Sequence, residues 1–167
     1  MSLSEQYDIG SRIKVKTALE NYATTNDSDG AALTTQDGIT IDRQESGLGH
    51  YYSCKAAVSG AFTAASSQRT VTATLEFQHS SDGTSWEDFS TATAGSVTWG
   101  STSTGGSTGT TAGTDYAAVE QKVNLRTARR YIRVSLPPVA FADCSSGYEL
   151  NVHGVVVFGG ADELPAS

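Results

Sequence analysis

The sequence predicts an all-β fold, an antiparallel β-sandwich or jelly roll, and three observations carry that prediction. The 167 residues include 17 Gly, one Met and only 17% charged residues, with Thr, Ser, Val and Ala filling the places that helices give to Lys, Glu and Leu. Apolar and polar residues alternate with period 2 in one segment after another. Gly, Asp and Pro separate these segments at short intervals, with no convincing helix between them. The length fits one domain, with an N-terminal arm or peripheral strands over 1–45, the sandwich over 46–160 and a tail over 161–167.

In chain order, Lys14 to Tyr22 reads equally well as a short helix or a strand. Tyr52, Cys54, Ala56 and Val58 form the first clear alternating set. Val71-Thr-Ala-Thr-Leu-Glu-Phe-Gln-His79 alternates throughout, with Val71, Ala73, Leu75 and Phe77 on one side. It runs into Ser80-Ser-Asp-Gly-Thr-Ser85, whose Asp82-Gly83 pair tolerates positive φ, and Trp86-Glu-Asp-Phe89 leads back: a β-hairpin. Ala117, Val119, Val123 and Leu125 repeat the pattern, as do Ile132, Val134 and Leu136, and then Tyr148, Leu150 and Val152. Each set has a polar opposite face, as in sheets wet on one side. After His153 the alternation breaks at Gly154 and gives way to Val155-Val-Val-Phe158, which predicts a bulge or a strand buried on both faces. Gly100 to Gly113 is a low-complexity Gly/Ser/Thr loop without an apolar anchor.

The chain carries 11 Lys plus Arg against 18 Asp plus Glu, a net charge of -7. Five of those basic residues, Lys122, Arg126, Arg129, Arg130 and Arg133, fall close together, while Thr70 to Gln121 has none. A second group, Arg12, Lys14 and Lys16, shares one face of a strand whose other face is Ile13 and Val15. These cations either pair with the protein's own carboxylates or dock onto an acidic protein surface. Nucleic acid is not expected, because the net charge is negative. No apolar run is long enough to span a membrane, and Met1 to Asp8 has neither the basic nor the apolar region of an export signal, so synthesis in a cytoplasm is the expectation.

No catalytic signature stands in a catalytic context: there is no H-E-x-x-H, phosphate-binding glycine loop or C-x-x-C, the one G-x-S-x-G match, Gly105 to Gly109, falls inside the low-complexity loop without the strand and helix that a nucleophile elbow needs, and no cofactor is expected. His50, His79 and His153 stand apart from one another, and Glu87 and Asp88 point to opposite faces of a strand. Asn26-Asp-Ser-Asp-Gly30 starts like a calcium loop, but Gln36 stands where the closing carboxylate belongs, so an Asx turn is expected and no metal. Cys54 and Cys144 read as core thiols, and a single bridge between them stays open. Trp86 and Trp99, with Tyr51, are candidates for an aromatic sugar-binding platform or for core packing.

Three runs resemble a known group of proteins: Leu75 to Phe89, Val123-Asn-Leu-Arg-Thr-Ala-Arg-Arg-Tyr-Ile-Arg-Val134, and Gly154-Val-Val-Val-Phe-Gly-Gly160. They are similar to the jelly-roll capsid decoration, or cement, proteins of tailed bacteriophages, of the Bordetella phage cementing-protein type, over roughly residues 50–160. The resemblance implies a homotrimer on the outer surface of an icosahedral head, assembled in the host cytoplasm and tying major capsid protein subunits together. The candidate capsid or subunit interface is then Arg12, Lys14, Lys16, Lys122, Arg126, Arg129, Arg130 and Arg133, with Gly105 and Gly106 of the long loop. The alternative is a glycan-binding or host-attachment sandwich of a phage tail or fibre, which would use Trp86, Trp99 and Tyr51.

Overall fold

A computed structural model describes residues 13–26, 35–45, 48, 51–64, 71–89, 95–99, 113–137 and 148–161. The loop over 100–112 with Gly105 and Gly106, the acidic turn after Asn26, Arg12, His50 and Cys144 lie outside them. The described residues form strands β1 (Lys14–Asn26), β2 (Gln36–Asp37), β3 (Ile41–Asp42), β4 (Tyr51–Ala64), β5 (Val71–Ser80), β6 (Glu87–Asp88), β7 (Gly95–Trp99), β8 (Gly113–Asn124), β9 (Tyr131–Leu136) and β10 (Tyr148–Ala161). The segment that could have been helix or strand is therefore β1.

The strands make two antiparallel sheets, one in the order β1-β10-β4-β8 and one in the order β2-β9-β5-β6, with β3 also on β9 and β7 also on β5. If β2 with β3 and β6 with β7 are taken as interrupted strands, the chain crosses repeatedly from one sheet to the other, and its last strand lies inside the first sheet. This is jelly-roll connectivity. The strands preceding residue 46 lie at the outer margins, β1 at the edge of the four-stranded sheet and β2 at the edge of the other.

Between the sheets the inward positions of each strand meet. Cys54, Ala56, Val58 and Phe62 of β4 and Leu150, Val152, Val156 and Phe158 of β10 face Ala73, Leu75 and Phe77 of β5 and Ile132, Val134 and Leu136 of β9 in one buried cluster. The alternation in the sequence is thus the imprint of one dry and one wet face per strand. The β5 hairpin forms as expected, pairing Gln78 with Asp88 and His79 with Glu87, and Gly83 takes φ 76° in its turn. Asp82 closes that turn: its carboxylate accepts the N–H of Thr84 and of Ser85, both at 2.8 Å, and the Ser80 hydroxyl. These donors hold the Asp82 carboxyl far below the usual carboxylate range.

The expectation for Gly154 needs correction. Alternation runs through it unbroken against β4, with His153 opposite Ser59, Gly154 opposite Val58 and Val155 opposite Ala57. The irregularity lies across the sheet in β1, where the register shifts on either side of Leu19, the residue opposite Gly154. A side chain at Gly154 would meet Val58 Cγ2 at 2.8 Å, so the missing Cβ makes room for the packing there. Nor is the strand buried on both faces, since Val155 points outward and is 37% exposed.

Gly38 marks the passage between the two sheets. Its N–H donates to Val134 O of β9 at 2.8 Å, and the N–H of Ile39 donates to Ala18 O of β1 at 2.8 Å. A Cβ on Gly38 would lie 2.2 Å from Ala18 O and 2.5 Å from Val134 O, both backbone atoms of fixed strands. Gly38→Ala is accordingly expected to lower unfolding free energy by about 3 kcal/mol in chemical denaturation. Gly159→Ala, where nothing lies within 4 Å of the added carbon, is expected to change it by less than about 0.5 kcal/mol.

Candidate functional site

The basic residues of the 122–133 stretch divide into two groups. Arg129, Arg130 and Arg133 are held by the protein's own carboxylates: Arg129 by Glu87 at 2.7 Å, Arg130 by Asp42 at 2.6 Å, and Arg133 by Asp37 at 2.9 Å. The Arg130 pair is bidentate, with Nε also donating to both oxygens of Asp42. It keeps the Asp42 carboxyl below its usual range and the Arg130 guanidinium above its own. Arg133 further donates to Gln78 Oε1 at 2.8 Å and lies 4.3 Å over the Trp86 ring. Charges engaged in this way organise the outer side of the six-stranded sheet.

Lys122 and Arg126 differ. Both are exposed at the end of β8, and among the described residues neither has an ion-pair partner. Lys122 stands directly opposite Lys55 across the β4–β8 pairing. Like charges so placed repel, and Lys55 is relieved by an ion pair with Glu120, which leaves Lys122 without a carboxylate partner among the described residues. Arg126 lies 5.6 Å over the ring of Tyr52, and its backbone N–H donates to Asn124 Oδ1 at 3.0 Å. These residues border an open trough of about 830 Å³ with Ile13, Ser53, Val157 and Gly159 on its walls. A trough with an apolar wall and unneutralised cations at its rim suits an acidic protein surface that brings a hydrophobic side chain with its carboxylates.

Lys14 and Lys16 do share one face of β1, but the register puts them opposite Phe158 and Val156, on the inward side of the sheet. There they project past the covered core, Lys14 exposed and Lys16 half-buried, while Val15 on the other face is 55% exposed. Inward-pointing charges on an edge strand oppose the addition of a further strand to that edge.

Arg43, which sequence reasoning passed over, is the one buried arginine among the described residues, at 9% exposure. Its Nη1 donates to Ala128 O at 2.6 Å and Arg129 O at 3.3 Å, and its Nη2 to Tyr51 O at 3.4 Å. It ties the 125–130 connection to the start of β4 and so sets where Arg126 and Arg129 emerge. Its only sequence signal is its place just after the short β3 segment, indistinguishable from a surface cation. Beside it Cys54 is a free, buried thiol whose pKa burial pushes up to about 12, although the Arg43 charge works the other way.

His79 and the aromatic candidates also find their places. His79 packs on Phe89 with ring centroids 5.0 Å apart, its Nδ1 accepts the Arg129 N–H at 3.4 Å, and Glu87 lies 3.9 Å from Nε2. Burial lowers its pKa and the Arg129 charge adds to this, against Glu87. His153 is exposed on the outer side of the four-stranded sheet, where Glu120 lines the same shallow depression. Tyr51 is 3% exposed and packs on Phe158, so it offers no ring to a sugar. Trp86 is covered by Arg133, and the Trp99 side chain lies outside the described residues. No group of three His, Cys, Asp or Glu among the described residues is placed to hold a metal ion.

The chain matches no protein-family model and no curated protein sequence. Among solved structures it is similar to the infectious bursal disease virus VP2 subviral particle, at 11% identity over 92% of this chain and 34% of that one, with a TM-score of 0.46. The infectious bursal disease virus Gx strain follows at 12% identity, over 90% of this chain and 32% of that one, with a TM-score of 0.45. The chain spans about a third of the length of these proteins.

Arg43→Met is expected to cost about 3 kcal/mol of stability, because three main-chain carbonyls lose a charged donor. Arg43→Lys should recover only part of this, since one ammonium cannot reach both Ala128 O and Tyr51 O; urea denaturation of the two variants checks it. Cys54 should resist iodoacetamide at pH 8 in the folded protein and react on unfolding, read by peptide mapping. The lowered His79 pKa makes the unfolded chain bind a proton first, so His79's contribution is full above about pH 6.5 and fades as pH falls through its lower folded value. Replacing His79 with Gln should flatten that part of the stability-against-pH curve.

Proposed function

We propose that this protein is a structural virion component, a capsid decoration protein that binds the outside of an icosahedral phage head as a trimer and stabilises the shell. The observation that supports the reading is the pairing of a jelly-roll body with the Lys122–Arg126 rim of the trough, whose cations have no ion pair among the described residues. Jelly rolls recur in viral shell proteins and in lectins, and the buried Tyr51 and covered Trp86 leave the lectin-like reading with little of its platform. The three runs that resemble phage cement proteins fall on the β5–β6 hairpin, on the connection from β8 to β9 that carries Arg126, and on β10.

The mechanism is mass action. A subunit that binds only the expanded shell, bridging neighbouring major capsid protein subunits, favours that state over all others by its binding free energy. Lys122 and Arg126 meet carboxylates on the shell, and the apolar trough wall beside them receives a side chain. Arg129, Arg130 and Arg133 are already neutralised and act by shaping the surface.

The test is to add purified protein to capsids that lack it and to count bound copies by sedimentation. Saturation at hundreds of copies, with capsids then surviving higher temperature, is the expected result, and a handful of copies or none would sink the reading. Lys122→Glu with Arg126→Glu should weaken capsid binding by on the order of a hundredfold at low salt while leaving the fold intact. Reversal at Arg129 or Arg130 is a poorer probe, because it also breaks the pairs with Glu87 and Asp42.

A further inference from the structure

The outer face of the four-stranded sheet is polar over most of its area, with Ser53, Ser59, Thr63, Glu149, Asn151 and His153 turned outward. One aromatic ring stands out from it: Tyr116 of β8, 76% exposed, which sequence reasoning passed over. A lone exposed ring means little by itself, and its surroundings give it a use. The register sets Tyr116 opposite Ala61 and Ala61 opposite Asn151, so ring and amide stand two strand spacings apart, about 9.5 Å, with only a methyl group between them. The next row is Ala118, Ser59 and His153. Small residues thus floor a depression of about 370 Å³ that has Tyr116 on one side and Asn151 and His153 on the other. A second depression, of about 390 Å³, adjoins it and shares Ser59, Ala118 and His153 with it.

We infer that these two depressions are a saccharide site, taking one neutral hexopyranose against Tyr116 and a second sugar unit alongside. Three features select this ligand class. The first is the pairing of one ring with several polar side chains. The C–H groups on one face of a pyranose carry slight positive charge and settle on the negative face of an aromatic ring, while the hydroxyls at the sugar's edge need hydrogen bonds. Ser59 and Asn151 each donate and accept, as a hydroxyl's two roles require. Asn151 is also held in place: its Nδ2 donates to Glu149 Oε1 at 2.8 Å, which orients the amide and leaves its oxygen to accept from a sugar hydroxyl.

The second is size. Each depression lies near the lower end of the roughly 300–1,000 Å³ of small-molecule sites, room for one ring apiece, and their shared wall makes them consecutive positions for a linked pair. The third is charge. No lysine or arginine lines either depression, and Glu120, which lines the second, is already held by Lys55. Glu149 beside Asn151 disfavours an anionic sugar, so the ligand is neutral.

Saturation-transfer NMR on the purified full chain tests this with four probes: methyl β-glucopyranoside, methyl β-galactopyranoside, methyl β-cellobioside and methyl β-glucuronide. At least one of the neutral single rings is expected to bind with Kd of about 1 mM, the order that one small ring in a shallow site reaches. The cellobioside should bind severalfold tighter than the glucoside, and the glucuronide more weakly than it. Tyr116→Ala should weaken binding by on the order of tenfold, Tyr116→Phe should retain it, and Asn151→Ala should weaken it severalfold, with an unchanged circular dichroism spectrum showing that the variants fold. No binding by any neutral probe, binding that survives Tyr116→Ala, or a glucuronide that outbinds the glucoside overturns the inference. A cellobioside no tighter than the glucoside overturns the second sugar position. Capsid binding is read separately: a chain that coats capsids and binds no sugar sinks this inference alone, whereas one that binds sugar and no capsid sinks the decoration reading alone.

Discussion

The four-stranded sheet depends on its last strand. β10 lies between β1 and β4, pairing with β4 from Tyr148 opposite Ala64 to Ala161 opposite Tyr51, and among the described strands of that sheet β1 pairs with β10 alone. Residues late in the chain thus complete a sheet begun by early ones. Contacts of such long sequence separation cost loop entropy before they return stability. Phe158 and Leu150, both fully buried, make the same strand a large share of the core. The missing side chain at Gly154 is part of this arrangement, since it admits Val58 and Leu19 where the register of β1 slips.

A second constraint divides the surface. The sandwich buries one face of each sheet and leaves two faces outside, and the chain treats them differently. On the six-stranded side Arg129, Arg130 and Arg133 are each answered by a carboxylate, which makes that side self-sufficient in water. The four-stranded sheet turns a mixed face outward, with Val15, Val155 and Tyr116 set among Ser59, Glu120, Asn151 and His153, and, among the described residues, two cations without an ion pair at one end. A surface with unmet apolar area and unmet charge is one that gains by contact.

Much of the fold was legible because period 2 is a local property. Val71 to His79, with the Asp82-Gly83 turn, carries its hairpin in a single stretch, and inward Ile132, Val134 and Leu136 were identifiable from spacing alone. The charged site was legible only as a cluster. That Arg129, Arg130 and Arg133 meet Glu87, Asp42 and Asp37 could not be read, because each pair joins residues on separate strands or connections of the sandwich. The same reason hid Arg43, whose partners are main-chain carbonyls on other segments and leave no mark in composition. Gly154 misled because a glycine in an alternating run announces an irregularity without saying which strand bears it.

By itself the sequence determined the fold class, the hairpin, the inward residues of most strands and the uneven spread of charge. These follow from the chirality and pleat of an extended chain, which act between near neighbours. Tertiary structure alone decided which arginines are neutralised, which way Lys14 and Val15 turn, and that Val155 and Val157 face outward on an open sheet. Each of those outcomes depends on which strand lies alongside, and strand order is set by the packing of the whole sandwich.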